Sequence, residues 1–333
     1  MHSVYGVGNP LIDILVEVND EFLNRHGIHK GAMHLIDVDE RTRLLESLAE
    51  FPHTYSCGGS CPNTIITLAA LGVPATLAGK VGDDEYGAIY RKQVSEHRVN
   101  DKIAVSSSHP TGSSVILITQ DSERTMNTYL GANRFYGKED VHLASVLSSD
   151  MFHFTGYMYD TDNQKEAIHL ALKEAKNKGM TISFDIADIF AVGRNREAFL
   201  SLIDGHCDIT FANADEARIL FNHYDPYECC RSLGAICRTA VVKNGKLGSL
   251  ISHEGRIYRI PVEGPSTPVD TTGAGDIYAS GFLYGICRDL SIEDSGYIAS
   301  YLAGEIIQNR GAQFSAEKML LIREHLARRF PLD

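Results

Sequence analysis

The run Val269-Asp270-Thr271-Thr272-Gly273-Ala274-Gly275-Asp276 puts three small residues and an acid into one short turn. It follows Pro268 and leads into Ile277-Tyr278-Ala279-Ser280-Gly281-Phe282-Leu283, an apolar segment that reads as a helix. Gly273, Ala274 and Gly275 let the backbone turn tightly and leave successive amide N–H groups exposed. A helix N-terminus has unpaired donors and the positive end of a dipole, so such a turn binds anions. Asp276 adds a carboxylate to the same turn. An anion-binding loop alone has no use for an acid there. Phosphoryl transfer does, because it needs a general base beside the donors that stabilise the moving group. The competing reading is a glycine-rich helix cap with an acid in its first turn.

Three further constellations carry potential chemistry. Gly6-Val7-Gly8-Asn9-Pro10-Leu11-Ile12-Asp13 ends a strand with a turn and a carboxylate. Cys57-Gly58-Gly59-Ser60-Cys61-Pro62-Asn63-Thr64 is a Gly-Gly turn entering a helix, with Asn63 in its first turn. Paired glycines let a hydroxyl-rich ligand lie against backbone, and Asp and Asn bond vicinal hydroxyls well. A surface turn and an ordinary cap would account for the same residues. Asn213-Ala214-Asp215-Glu216 follows the strand-like Asp208-Ile209-Thr210-Phe211, at the edge where α/β proteins bind ligands. An Asn and a Glu three apart could order water around Mg²⁺ near phosphate; the same spacing also makes a capping box.

Other signatures are absent. The chain has no GxxxxGK[ST] phosphate loop, no strand-linked GxGxxG and no protein-kinase signature set. Acids outnumber bases 43 to 31, for a formal charge of −12, which disfavours nucleic-acid and anionic-membrane partners. The weakly polar stretch from Thr64 to Gly79 is too short and too polar to span a membrane. No leader is visible at the N-terminus, so the expectation is a cytoplasmic protein. The 7 cysteines form no CxxC pair, which points to reduced thiols packed as small apolar groups rather than zinc or disulfides. Cys57 and Cys61 flank Gly58-Gly59, and a redox role for them is the minor reading.

These residues need a frame, and alternating strand and helix patterns supply one: a mostly parallel sheet covered on both faces. Thr161-Asp162 caps a helix whose stripe is Ala167, Ile168, Ala171, Leu172 and Ala175; Gly179 stops it and Thr181 to Asp185 follows as a strand. Thr239 to Lys243, Asn244-Gly245 and Leu247 to Ser252 read as a hairpin with a two- or three-residue turn, and Ile257 to Val262 as one more strand. Two stretches break the alternation and read as antiparallel excursions. The expected division is a main α/β domain of residues 1–13, 38–102 and 128–333 and a discontinuous β lid of residues 14–37 and 103–127.

In this order, Gly58-Gly59…Asn63, Asn213-x-x-Glu216, Lys243-Asn244-Gly245-x-x-Gly248 and the Asp270–Asp276 run resemble the ribokinase-like (PfkB) carbohydrate and nucleoside kinases over essentially the whole chain. The resemblance implies a ribokinase-like three-layer α/β fold with a mostly parallel central sheet and a small β lid. It implies ATP and Mg²⁺, with Asp276 as base and the amides of Gly273, Ala274 and Gly275 as the anion hole. Asn213 and Glu216 would position hydrated Mg²⁺ and phosphates; Lys243, Gly245, Gly248 and Asn309 would lie on the ATP side. Asn9, Asp13, Gly58, Gly59 and Asn63 would hold the acceptor, and Arg124 would approach the γ-phosphate from the lid base. Asp270 and Thr272, with Asn309 and Gly311 nearby, would flank a K⁺ site.

The opening Gly-Asn-Pro-Leu-Ile-Asp is most similar to adenosine-kinase-like members, and Tyr157 falls where they place a ring against the base. A plain core aromatic is the alternative for Tyr157. The resulting expectation is transfer of the ATP γ-phosphoryl to the 5′-hydroxyl of a ribonucleoside, adenosine first. Ribose, fructose or another furanose is the second candidate, and a non-catalytic nucleoside- or sugar-binding protein the third. Monomer and homodimer are equally open.

Overall fold

The computed structural model describes residues 1–121, 123–264 and 267–331. Its strands in the first half are β1 (Val4–Val7), β2 (Leu11–Glu17), β3 (Met33–Leu35), β4 (Thr54–Gly58), β5 (Ala75–Gly82), β6 (Asn100–Ser106), β7 (Ser113–Ile118) and β8 (Arg124–Tyr129). The second half adds β9 (Met151–Thr155), β10 (Thr181–Asp185), β11 (Ile209–Asn213), β12 (Thr239–Lys243), β13 (Ser249–His253) and β14 (Arg256–Ile260). Nine of them form a sheet ordered β14-β13-β12-β11-β10-β9-β1-β5-β6, and five form a smaller sheet ordered β3-β8-β7-β2-β4. The large sheet is parallel from β6 to β12, and only β13 and β14 join it antiparallel.

Strand alternation sends successive side chains to opposite faces, so a sheet covered on both sides has two cores. That is the case here. Val4, Phe211 and Val241 pack with Ile277, Phe282 and Leu302 on one face; Tyr5, Phe152 and Phe184 pack with Ile168, Leu172 and Phe199 on the other. The helix Asp162–Lys178 shows how locally the layers are encoded. Thr161 and Gln164 form its capping box, Gly179 ends it in a left-handed turn at φ 75°, and Ala167, Ile168, Ala171, Leu172 and Ala175 are its buried stripe. No helix among the described residues is long and apolar enough to cross a membrane.

Element boundaries differ from expectation in three places. Residues 103–106 belong to β6, which pairs parallel with β5 in the large sheet after the helix Glu85–Glu96, and so lie outside the small sheet. β2 starts at Leu11 and pairs antiparallel with β4, which puts Thr54–Gly58 into the small sheet although that stretch was expected in the main domain. Both assignments depend on pairing between distant segments, which local periodicity does not specify. The β12–β13 connection runs over residues 244–248 with a short 3₁₀ turn at Gly245–Leu247, longer than the tight turn expected. Gly245 (φ 52°) and Gly248 (φ 83°) take left-handed conformations there, and a Cβ on Gly248 would lie 2.1 Å from the Ile260 carbonyl oxygen.

Candidate active site

The Asp270–Gly275 turn opens the helix Ala274–Cys287, with Gly273 as its N-cap at φ 73°. A Cβ on Gly273 would fall 2.3 Å from that of Ala312, so this turn requires glycine on both conformational and steric grounds. Asp276 follows in the first helical turn. Ser60 Oγ donates to its Oδ1 at 2.6 Å and Asn63 Nδ2 donates to its Oδ2 at 2.9 Å. Burial pushes the Asp276 carboxyl up to about 6; those two donors and Lys243 restrain the shift, while Asp185 adds to it. Asn63, expected on the acceptor, is therefore a holder of Asp276 as well. Ser60 was not foreseen, because a serine opening a helix already has an ordinary capping reading.

Lys243, the last residue of β12, lies beside this turn: a Cβ on Gly275 would be 3.2 Å from its Nζ. Lys243 Nζ donates to Asp185 Oδ2 at 2.9 Å, and both side chains are largely buried. Burial alone would lower the Lys243 pKa, but Asp185, Glu216 and Asp276 around it more than offset this and hold the ammonium charged. Asp185 also escaped the sequence reading. The strand it ends was legible, and its position at the C-terminal edge of a parallel strand was the available signal.

Asn213 and Glu216 form a complete capping box at the helix Ala214–Phe221. Asn213 Oδ1 accepts from the N–H of Glu216 at 2.9 Å, and Glu216 Oε2 accepts from the N–H of Asn213 at 2.7 Å. Both residues also line the central cavity, so the cap and a site role coexist. Burial pushes the Glu216 carboxyl up to about 7; Lys243 opposes the shift and Asp185 reinforces it. The Ala274 N–H, expected in the anion hole, instead donates to the Thr271 carbonyl at 3.2 Å, while no hydrogen bond among the described residues uses the N–H groups of Gly273 and Gly275. Together these groups offer Mg-ATP hard oxygen ligands, a fixed cation and two open amides, which is a donor set of the right chemistry.

The small sheet supplies the opposite wall. Alternate residues of four strands face one cavity of about 1260 Å³: Leu11 and Asp13, Ser114 and Ile116, Met126 and Thr128, Met33 and Leu35. Register sets these residues in rows across the sheet. Asp13, Ser114, Thr128 and Leu35 form one; Ile116, Met126 and Met33 form the next, with Leu15, which does not line the cavity, at its end. No hydrogen bond from the described residues reaches the Asp13 carboxylate. Burial pushes it up to about 7, with Arg124 pulling it down and Asp276 pushing it further up. Gly58 does not line the cavity but makes room for Asp13, because a Cβ there would lie 2.5 Å from the carboxylate atoms. Asn9, Gly59, Asn63 and Tyr157 do line it, as do Gly245, Gly248, Gly273, Ala274 and Gly275.

Other expected residues are placed differently. Arg124 points at the glycine turn: its Nη2 lies 2.7 Å from Asp270 Oδ2, and its Nη1 donates to Thr272 Oγ1 at 3.2 Å. Asp270 Oδ1 also accepts from the N–H and the hydroxyl of Thr272, and Oδ2 from the N–H of Gly311 at 2.7 Å. Both side chains offered for K⁺ are thus engaged within the protein. Asn309 is exposed beyond the helix Ile292–Ile306, its Nδ2 folded back onto the Glu305 carbonyl at 3.1 Å, and it does not line the cavity. Cys57 and Cys61 are buried and burial raises both thiols, so they act as apolar packing groups without thiolate character.

Comparison with known proteins identifies the family. The family model described as "pfkB family carbohydrate kinase" matches residues 31–319. The solved structure of adenosine kinase from Sinorhizobium meliloti superposes with a TM-score of 0.88 at 35% identity, covering 97% of this chain and 99% of that one. A probable sugar kinase from Rhizobium etli gives a TM-score of 0.88 at 36% identity over 98% of each chain. Adenosine kinase 2 of Arabidopsis thaliana is 25% identical, over 93% of this chain and 94% of its own length. The chain belongs to the pfkB family of carbohydrate kinases and is a phosphotransferase that uses an alcohol group as acceptor.

Proposed function

We propose that the chain transfers the γ-phosphoryl group of ATP to the 5′-hydroxyl of a ribonucleoside, with adenosine the foremost substrate. The observation that carries this reading is the pair of rows on the small sheet. Asp13, which no hydrogen bond from the described residues reaches, stands beside Ser114 and Thr128 in a row that ends in Leu35, ready for vicinal hydroxyls, and the adjacent row of Leu15, Ile116, Met126 and Met33 is wholly apolar. A ribose uses only the first row. A nucleoside uses both, its base covering apolar surface that a free sugar leaves wet. Tyr157, on the cavity wall contributed by the large domain, supplies an aromatic face. The likeness to an adenosine kinase at 35% identity supports the same choice, while the matching likeness to a probable sugar kinase at 36% makes a furanose the alternative that the test must separate.

In this reading Asp276 accepts the proton of the attacking hydroxyl, and Ser60 and Asn63 keep its carboxylate aimed. The amides of Gly273 and Gly275 and the Lys243 ammonium take up charge on the moving phosphoryl. Glu216 and Asn213 would hold Mg²⁺ through water, and the ion would neutralise phosphate charge when bound. Gly245 and Gly248 let the β12–β13 connection lie against the nucleotide. The small sheet serves as a lid that keeps water from the reacting groups, with Arg124 fastening its base to the glycine turn.

The test is acceptor-dependent ADP release with Mg-ATP across adenosine, inosine, guanosine, ribose and fructose. Nucleosides should be turned over at micromolar to millimolar KM, and free sugars should lag by at least about tenfold in kcat/KM, the worth of burying a base. Turnover of sugars alone would replace the nucleoside reading with a furanose kinase. ATP binding without turnover of any acceptor would favour a binding protein.

A further inference from the structure

Asn9 lines the acceptor side of the cavity, but its amide is held from behind by a residue outside it. Gln164 is 1% exposed in the first turn of the helix Asp162–Lys178. Its Nε2 donates to Asn9 Oδ1 at 2.9 Å and to the Asn133 carbonyl oxygen at 2.9 Å, while its Oε1 accepts from the Thr161 N–H at 3.3 Å. The last two partners are backbone groups of fixed polarity. A carbonyl can only accept and an N–H can only donate, so the Gln164 amide has one allowed orientation. Turning it over would set two acceptors against each other at Asn133 and two donors at Thr161, in a buried place where each mismatch is costly.

This fixed polarity passes on to Asn9. With Nε2 of Gln164 as the only hydrogen-bond partner of its side chain among the described residues, Asn9 must present Oδ1 backwards and Nδ2 forwards. No hydrogen bond from the described residues engages Asn9 Nδ2, and the residue faces the cavity. The turn that carries Asn9 is braced as well: Asn133 Nδ2 donates to the Pro10 carbonyl at 2.7 Å, and Gly59 packs against the Asn9 carbonyl, where a Cβ would lie 2.2 Å away.

We propose that Gln164 is a positioning residue that sets the hydrogen-bond polarity of the acceptor pocket. Through it Asn9 offers only N–H donors, and the bound acceptor places against Asn9 an atom with a free lone pair, such as a ring nitrogen or a sugar oxygen. The inference rests on the assignment of this end of the cavity to the acceptor. It selects among acceptors by chemistry: an analogue with C–H at that atom loses the contact, and one with N–H there is repelled.

Gln164→Glu keeps the shape of the side chain and its capping-box acceptor but removes the donor. Burial beside the Asn133 carbonyl raises the pKa of the new carboxyl, so the acceptor KM is followed from pH 7 to 10; once ionised the carboxylate accepts only, and Asn9 turns its Nδ2 backwards and shows Oδ1 to the pocket. The expected result is an acceptor KM raised roughly 10- to 100-fold, the worth of one exchanged hydrogen bond, with the ATP KM within about twofold. Asn9→Asp reverses the polarity with Gln164 intact and should give the same pattern, which covers the case of a misfolded Gln164→Glu. Gln164→Met releases the lock without reversing it and should fall between.

The decisive readout is a cycle with substrate analogues: 1-, 3- and 7-deazaadenosine and the 2′- and 3′-deoxy nucleosides. One analogue should be penalised in the wild type, and that penalty should vanish in Gln164→Glu and in Asn9→Asp. A purely structural role would lower Tm and raise both KM values together, with analogue penalties unchanged in every variant, and that result overturns the proposal. If the wild type uses only a free sugar, the nucleoside reading fails by itself, and the same cycle with singly deoxygenated sugars still decides the role of Gln164.

Discussion

Arg124, the first residue of β8, and Asp270, at the start of the glycine turn, form an ion pair with Nη2 2.7 Å from Oδ2. It ties the small sheet to the glycine turn. At 14% and 5% side-chain exposure the pair is largely buried, so removing one partner leaves an uncompensated charge. Arg124→Met should therefore cost about 3–5 kcal/mol by urea unfolding. Replacing both by apolar residues should cost less than the sum of the single changes. Additive losses would mean that the two side chains do not act as a pair.

Asp276, the proposed proton acceptor, gives a second expectation. Asp276→Asn should fold normally and lose on the order of 10²–10⁴ in kcat. In the wild type the carboxyl is pushed up to about 6, so it is protonated and inactive below that pH. Activity should rise with pH and level off above about 6 to 7. Ser60 Oγ bonds the ionised form, so Ser60→Ala should raise the pKa and move the rising limb to higher pH. A limb that stays in place would remove Ser60 from the role of aiming the base.

Asp13 yields a stability test with an unusual sign. In the folded protein it is pushed up to about 7, above the ordinary aspartate value of 3.8, so folding favours the protonated form. The corresponding stability is fully present below the unfolded pKa and is lost as pH rises through about 7. Asp13→Asn imitates the protonated state. Its Tm should match the wild type near pH 4 and exceed it at pH 8, while the acceptor KM rises roughly 10²-fold or more through loss of charged hydrogen bonds. A Tm advantage that is largest in acid would contradict the burial of this carboxylate.

Much of this was readable from the chain because the signals are local. The helix cap at Thr161, its stop at Gly179 and the following strand each depend on residues a few positions apart. The glycine turn and Asp276 were equally plain. What escaped depends on pairing between distant segments. The small sheet recruits Thr54–Gly58 through β2, and nothing in that stretch alone distinguishes one sheet from the other. Ser60 and Gln164 occupy first-turn helix positions, where capping is explanation enough, so their second contacts to Asp276 and Asn9 were invisible. Asn213 and Glu216 satisfy both readings at once, a cap that faces a cavity. Asn309 went the other way, because a polar residue just past a helix end is as easily turned to solvent as to a ligand.

Identifying the product formed from adenosine and Mg-ATP by ³¹P NMR, with ADP counted in the same reaction, tests the central claim most directly. The account predicts a 5′-monophosphate formed in a one-to-one ratio with ADP, and loss of both products in Asp276→Asn. A phosphate on another hydroxyl, or ADP released without any phosphorylated nucleoside, would contradict the placement of the acceptor between Asp13 and Asp276.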